Sequence, residues 1–471
     1  MNSERLIGAA TLRERQRDAI DDVALGRKLA KAVDTFVSRK ASAYAQLEDP
    51  DALRQAARAM RGGINARLPE VLERFANNAI AAGANICWAL TAEEANAYIV
   101  GVANRVGAKT VAKGKSMATE ETHLNVALEA AGCRVVETDL GEWIIQLEGQ
   151  TPAHIIAPAI HLDRHDIARI FDERAGAGGI EHVPEVMNAF ARQRLRETFL
   201  AAEMGVTGCN LAIAETGSIL LVENEGNGRM SSTLPRVHVV VMGMERIVET
   251  WEEANLVVNL LARAGTGQHL SVYTNIITGP RRADDADGPD ELHIVILDNG
   301  RSEMLGTDLH EMLNCIRCGA CLNVCPVYRQ TGGHAYGWVY SGPMGAVLTP
   351  VLAAHIDEAV ELSSASTLCG ACMDACPVGI PLQDLLLSLR RRKADQAGVV
   401  ERSGWRAWST AWARQTTYEF GLRAATGPGR RLASNRVTRR LVPGSGPWGE
   451  GRDLPIPATE SFRAKWRRGK L

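Results

Sequence analysis

Seven of the ten cysteines lie between residues 315 and 376, in two runs that each end in Cys-Pro. The first run holds Cys315, Cys318, Cys321 and Cys325, followed by Pro326; the second holds Cys369, Cys372 and Cys376, followed by Pro377. Thiolates separated by two residues wrap three corners of an iron–sulfur cubane, and the cysteine before proline ligates a different cluster. This crossover predicts one [4Fe-4S] cluster on Cys315, Cys318, Cys321 and Cys376, and a second cluster on Cys325, Cys369 and Cys372. Carrying the first spacing onto the second run puts its missing ligand at position 366, which is Ser366. The second site is therefore one thiolate short, as [4Fe-4S] or [3Fe-4S]. Three explanations stay open: an oxygen or water ligand on the fourth iron, a three-iron cluster, or a ligand from elsewhere. Structural zinc also uses cysteine pairs, but it takes four ligands per site and gives no reason for a four-cysteine run ending in Cys-Pro.

Metal chemistry is preferred over disulfides because the first thirty residues contain no hydrophobic signal core, so a reducing, cytoplasmic setting is expected. No apolar run approaches the roughly 20 residues that span a bilayer. The whole chain is nearly neutral, but its ends are not: residues 390–471 carry 19 basic and 6 acidic side chains, leaving 34 basic and 49 acidic before them. The helix in this basic tail could pack against the rest of the chain, against a partner, or peripherally at the inner face of a membrane. No nucleic-acid recognition module accompanies it, so nucleic acid is not expected.

Residues 1–82 space their apolar positions three and four apart and read as a helical arm and lead-in. From 83 to 300, short apolar runs alternate with helical stretches, the mark of an open α/β sheet with crossover helices. The runs include ICWAL, KTVAKG, RVVETD, HIIAPAI, RVHVVVMGM and ELHIVILD. NLAIAETGSILLVE has a Gly between two apolar runs and reads as a hairpin, so the sheet is expected to be mixed. A charged, turn-rich loop fills 281–290. Residues 301–393 form a mainly helical, cysteine-rich module, and 394–471 a tail of Trp, Arg, Gly and Pro.

The chain resembles the lactate utilization protein B family. The resemblance rests on CIRCGACLNVCPVYRQTGGHAYGWVYSGPMGAVLTP, on SSASTLCGACMDACPVGIPLQDLLL, and upstream on KGKSMATEETHLNVALEAAG, VVETDLGEWIIQL and AETGSILLVENEGNGRMSSTLPRVHVVVMGMERIV. It implies a LUD domain, with a fold similar to the sugar-phosphate isomerase and CoA-transferase group, followed by an α-helical ferredoxin module. It also implies a role in oxidising L-lactate to pyruvate beside two partners, one cysteine-rich and one a second LUD protein. The electron acceptor and the lactate-binding subunit are not implied.

Within the α/β domain, Glu215 and the loop Glu223–Arg229, with Ser231, Ser232 and Arg236, form the candidate substrate loop. A Gly-rich turn exposes N–H groups, and Ser and Arg add donors for a carboxylate or phosphate; an ordinary turn explains the pattern as well. Lys113, Lys115 and Ser116 follow a strand and face the same mouth, unless the lysines are simply solvated. His334, Tyr336, Trp338 and Tyr340 lie between the cysteine runs, where they would shield a cluster. His161 and His165 stand four apart but lack a third ligand. Ala264–Gly267 lacks the third glycine of a dinucleotide loop, so NAD is not predicted, and no flavin pattern is present. Cys87, Cys133 and Cys209 read as small hydrophobes. Trp405, Trp408 and Trp412 mark one face of a helix in the tail.

Overall fold

The apolar runs between 85 and 297 form two sheets, and the burial of each follows its composition. In the computed structural model, which describes residues 10–352, 357–423, 458 and 460–469, ten strands are formed. They are β1 Asn85–Ala89, β2 Thr110–Lys113, β3 Arg134–Glu137, β4 Met204–Thr207, β5 Leu211–Ile213, β6 Ser218–Glu223, β7 Val237–Gly243, β8 Ile247–Val248, β9 Tyr273–Ile277 and β10 Glu291–Leu297. The first sheet has six strands, all in parallel pairs, in the order β1-β10-β7-β4-β2-β3. Helices cover such a sheet on both faces, so its central strands are mainly apolar; every residue of β7, His238 included, is buried. The hairpin expected at 211–223 is β5 paired antiparallel with β6, with Leu211 opposite Leu220. It belongs to the second sheet, β8-β5-β6-β9, in which β5 also runs parallel to β8. The mixed pairing is thus confined to the small sheet.

Two local expectations need correction. HIIAPAI is not a strand: the His154 ring Nδ1 accepts the N–H groups of Ile156 and Ala157, and Ala153 N–H closes onto Pro158 O. These bonds turn the chain, and Pro158 has no N–H for a ladder. The helical stretch after KTVAKG is broken into Met117–Glu121 and Leu124–Ala130, because His123 takes a left-handed backbone (φ 54°). A non-glycine residue in that region ends a helix.

The chain divides into two units, residues 1–392 and 393–471. In the first, helices α1 Leu12–Asp21, α2 Val23–Tyr44, α3 Pro50–Ala66 and α4 Leu68–Ala81 are packed in rather than extended as an arm. Arg54 donates to Met373 O at 2.6 Å, Arg58 pairs with Glu311, and Asn65 donates to Asn314 at 2.8 Å. One apolar core runs from Phe75 through the small sheet to Met312, Leu322 and Leu386. The second unit contains the helix Val399–Ala413, in which Trp405 and Trp408 rings lie 5.8 Å apart and Trp408 and Trp412 rings 5.9 Å.

Candidate iron–sulfur centres and the adjoining cavity

The two cysteine runs fold as copies of one another. Each contains a left-handed non-glycine residue, Arg317 (φ 59°) or Leu368 (φ 54°), then a cysteine, then a left-handed glycine, Gly319 or Gly370. A five-residue helix follows, Ala320–Val324 or Ala371–Ala375, capped by the cysteine before proline: Cys325 at φ −73°, ψ 119° and Cys376 at φ −72°, ψ 119°. Glycine is needed at 319 for a second reason, since a Cβ there would come 3.0 Å from the His154 ring.

Cys315, Cys318, Cys321 and Cys376 line one small cavity, closed by apolar neighbours such as Met312, Met344 and Ile380. Cys318 is pushed up to about 12 by burial and then by Cys376 and Cys315. Cys372, pushed up to about 11, is governed by burial and then by Cys325 and Cys369. Burial raises the Cys321 thiol, with Cys315, Cys318, Cys372 and Cys376 adding to it, and the helices that bear Cys321 and Cys372 pack against each other. Six of the seven thiols are buried, and Cys369 is exposed. Among the described residues no three His, Cys, Asp or Glu side chains are grouped to hold a single ion. The donor type, the fourfold thiol lining and the apolar enclosure fit a polynuclear iron–sulfur group, which would be held at the first site by Cys315, Cys318, Cys321 and Cys376. Raised thiols give up protons as they bind metal.

Shielding of the centres comes from residues partly named in advance. The Tyr336 hydroxyl is buried without a hydrogen-bond partner among the described residues and neighbours the Cys325 thiol. His334 instead faces Thr151 O at 2.8 Å and stacks edge-on with His161, ring centroids 4.7 Å apart. His165 pairs with His182.

Beside the first centre a cavity of about 310 Å³ opens along the C-terminal ends of the parallel strands, where open α/β sheets place their ligands. Gly114–Ser116 after β2, Asp139 after β3, Gly208–Asn210 after β4, Glu245 and Arg246 after β7 and Arg301 after β10 line it. The candidate loop contributes Glu223, Asn224, Glu225, Asn227 and Gly228, but Glu215, Arg229, Ser231, Ser232 and Arg236 lie outside the lining. Glu215 accepts from Trp251 N–H, Arg229 lies over the Tyr273 ring, Ser231 is buried against Thr138, Ser232 donates to Arg229 O, and Arg236 pairs with Asp290. Lys113 is not a solvated lysine. It is fully buried between Glu120 (2.6 Å) and Glu137 (2.5 Å), which hold it above the usual lysine range despite burial. Lys115 and Ser116 do line the cavity.

The floor, which sequence reasoning missed, is a buried ion network. Arg301 binds Glu121 through both terminal nitrogens (2.8 and 2.7 Å) and Glu245 through Nε (2.7 Å). Arg317, one residue before Cys318, reaches Glu245 at 3.0 Å, and Tyr340 donates to Glu121 at 2.9 Å. Arg246 donates to Cys315 O at 3.1 Å. Burial pushes the Glu245 carboxyl up, but Arg301, Arg317 and Arg246 outweigh it and hold it at about 2. Gly243 leaves room for this: a Cβ there would stand 2.3 Å from Glu245 and 2.6 Å from Arg301.

Three family comparisons match in chain order: the LUD domain over residues 72–297, the 4Fe-4S dicluster domain over 311–380, and the C-terminal domain of lactate utilisation protein B over 388–470. A "Lactate utilization protein B" of Macrococcus caseolyticus is 44% identical, covering 99% of this chain and 98% of that protein. One from Bacillus pumilus is 44% identical over 97% of each. An "Uncharacterized electron transport protein YkgF" of Escherichia coli is 42% identical over 96% of each. A solved DUF162 family protein of Deinococcus radiodurans covers 49% of this chain and 98% of its own, at 17% identity and a TM-score of 0.27. With near-complete coverage at this identity and all three domains in order, the chain belongs to the lactate utilization protein B family.

Proposed function

We propose that this chain is the iron–sulfur electron-transfer subunit of a complex that oxidises L-lactate to pyruvate, working beside a cysteine-rich subunit and a second LUD protein. The observation that carries the reading is the packing of the helix Ala320–Val324, which bears Cys321, against the helix Ala371–Ala375, which bears Cys372, so that an enclosed site adjoins one that reaches the surface at Cys369. Iron–sulfur clusters bound there supply one-electron transfer. Turning lactate into pyruvate releases two electrons and two protons, so two adjoining one-electron sites match the demand.

The chain's own part is to bury, separate and polarise these sites. Apolar neighbours exclude water from the first, and Arg246 and Arg317 set positive charge beside it. The names of the relatives, lactate utilization and electron transport, agree with this role. We place the protein in the cytoplasm, with its basic tail turned to an acidic partner or membrane surface; among the described residues no helix is long and apolar enough to cross a membrane. The alternative is a small-acid-binding or redox-sensing protein with structural clusters.

Reconstitution of the anaerobically prepared chain with the two partners separates these. Addition of L-lactate is expected to reduce the clusters only when both partners are present. Clusters that stay oxidised under every combination would favour the sensor.

A further inference from the structure

The cavity floor carries more positive than negative charge. Arg246 and Arg301 are buried, at 7% and 1% exposure, and Arg317 nearly so. Only Glu121 and Glu245 answer them with carboxylates in the bonds described above. Arg317 Nη1 is buried with no hydrogen-bond partner among the described residues. Cys315 also faces Arg246 and Arg317 and offsets part of the surplus, but it leaves the Arg317 donor unspent, and a buried guanidinium donor is costly unless an acceptor completes it.

The acidic residues of the lining are already engaged. Glu223 accepts from the N–H groups of Gly228 and Arg229 and from Asn275, Glu225 accepts from Leu140 N–H, and Asp139 caps the helix Leu140–Glu148.

We propose that this cavity binds a small carboxylate, whose charged end is held by Arg246 and Arg317 against the loop that bears Cys315 and Cys318. Arg317 lines both this cavity and the thiol-lined one, so a molecule bound there lies one side chain from the first centre. A guanidinium fork suits a carboxylate by shape as well as charge. That the carboxylate is a 2-hydroxy or 2-oxo acid rests on the lactate reading above; that an anion binds at Arg246 and Arg317 does not.

The test is calorimetric titration of pyruvate and of L-lactate into the full-length, cluster-loaded chain, with the first cluster's potential measured in parallel. Saturable binding is expected, weakened roughly tenfold or more in Arg246→Gln and in Arg317→Gln. Where a glutamine variant fails to keep its clusters, Arg317→Lys retains the charge and loses the fork, and should still weaken binding. Absence of binding in the parent overturns the inference. So do variants that shift the potential but leave affinity unchanged, since the surplus would then serve the cluster alone. If lactate still reduces the clusters in the reconstituted complex while this chain binds no carboxylate, lactate sits on another subunit and the electron-transfer reading stands. Binding without lactate-dependent reduction supports the site and tells against that reading.

Discussion

Ser366 Oγ accepts the Leu368 N–H at 3.1 Å, in the same position from which Cys315 Sγ accepts the Arg317 N–H at 3.4 Å. The serine thus stands where the first run has a ligand, and Arg390 fixes its backbone by donating to Ser366 O at 2.7 Å. A serine hydroxyl is a poor iron ligand unless deprotonated. Mild oxidation is therefore expected to release one iron from the second site and give a three-iron signal by electron paramagnetic resonance. Ser366→Cys should suppress that signal. Equal iron loss in mutant and parent would mean that position 366 does not face the open corner.

Hydrogen bonds to cluster sulfur raise a cluster's potential. The buried Tyr336 hydroxyl neighbours the Cys325 thiol and has no other use among the described residues, so Tyr336→Phe should make the second cluster harder to reduce and leave the first unchanged. A redox titration that finds neither potential moved would remove Tyr336 from this role.

Glu245 holds two buried guanidinium groups at once. Glu245→Gln leaves Arg301 and Arg317 short of charge, and breaking a buried pair of this kind costs about 3–5 kcal/mol. Urea denaturation under anaerobic conditions should show the loss, and Glu245→Asp should recover part of it. A change within about 0.5 kcal/mol would mean that the network contributes little to folding.

Two histidines make the fold acid-sensitive. Burial holds both His154 and His238 down at about 3, with Lys115 adding to the first and His293 to the second. The unfolded chain binds protons at these groups near pH 6.5 and the folded chain does not. Their stability is complete above that pH and falls as the pH drops toward 3, each group contributing about 1.4 kcal/mol per unit inside the window. His238→Asn should flatten the dependence of the denaturation midpoint on pH; an unchanged slope would show that His238 is not held neutral.

The grouping of Cys315, Cys318, Cys321 and Cys376 around one cavity could be anticipated from spacing, because the cysteines of each run are local and proline marks the crossing residue. The hairpin at Gly217 and the loop at 281–290 were legible for the same reason. The cavity floor was not. Arg246, Arg301 and Arg317 come from three separate segments, and although Arg317 sits between Cys315 and Cys318, nothing along the chain shows that the three converge on Glu245. Lys113 is hidden similarly, since its partners Glu120 and Glu137 lie on a later helix and the next strand. Position 215–236 drew attention through glycines and arginines, yet only the stretch from 223 to 228 reaches the cavity. HIIAPAI failed as a strand through His154, whose ring competes for N–H groups that a ladder would need.

The crossed ligation is tested most directly by electron paramagnetic resonance and iron analysis of Cys325→Ala beside Cys376→Ala, each prepared anaerobically. The parent should hold about seven or eight irons. Cys325→Ala should lose the second cluster and with it the oxidatively formed three-iron signal, while keeping the four-thiolate cluster. Cys376→Ala should disturb the first cluster and keep the three-iron signal. The reverse pattern, or an iron content near four in the parent, would contradict the assignment of Cys376 to the first site and Cys325 to the second.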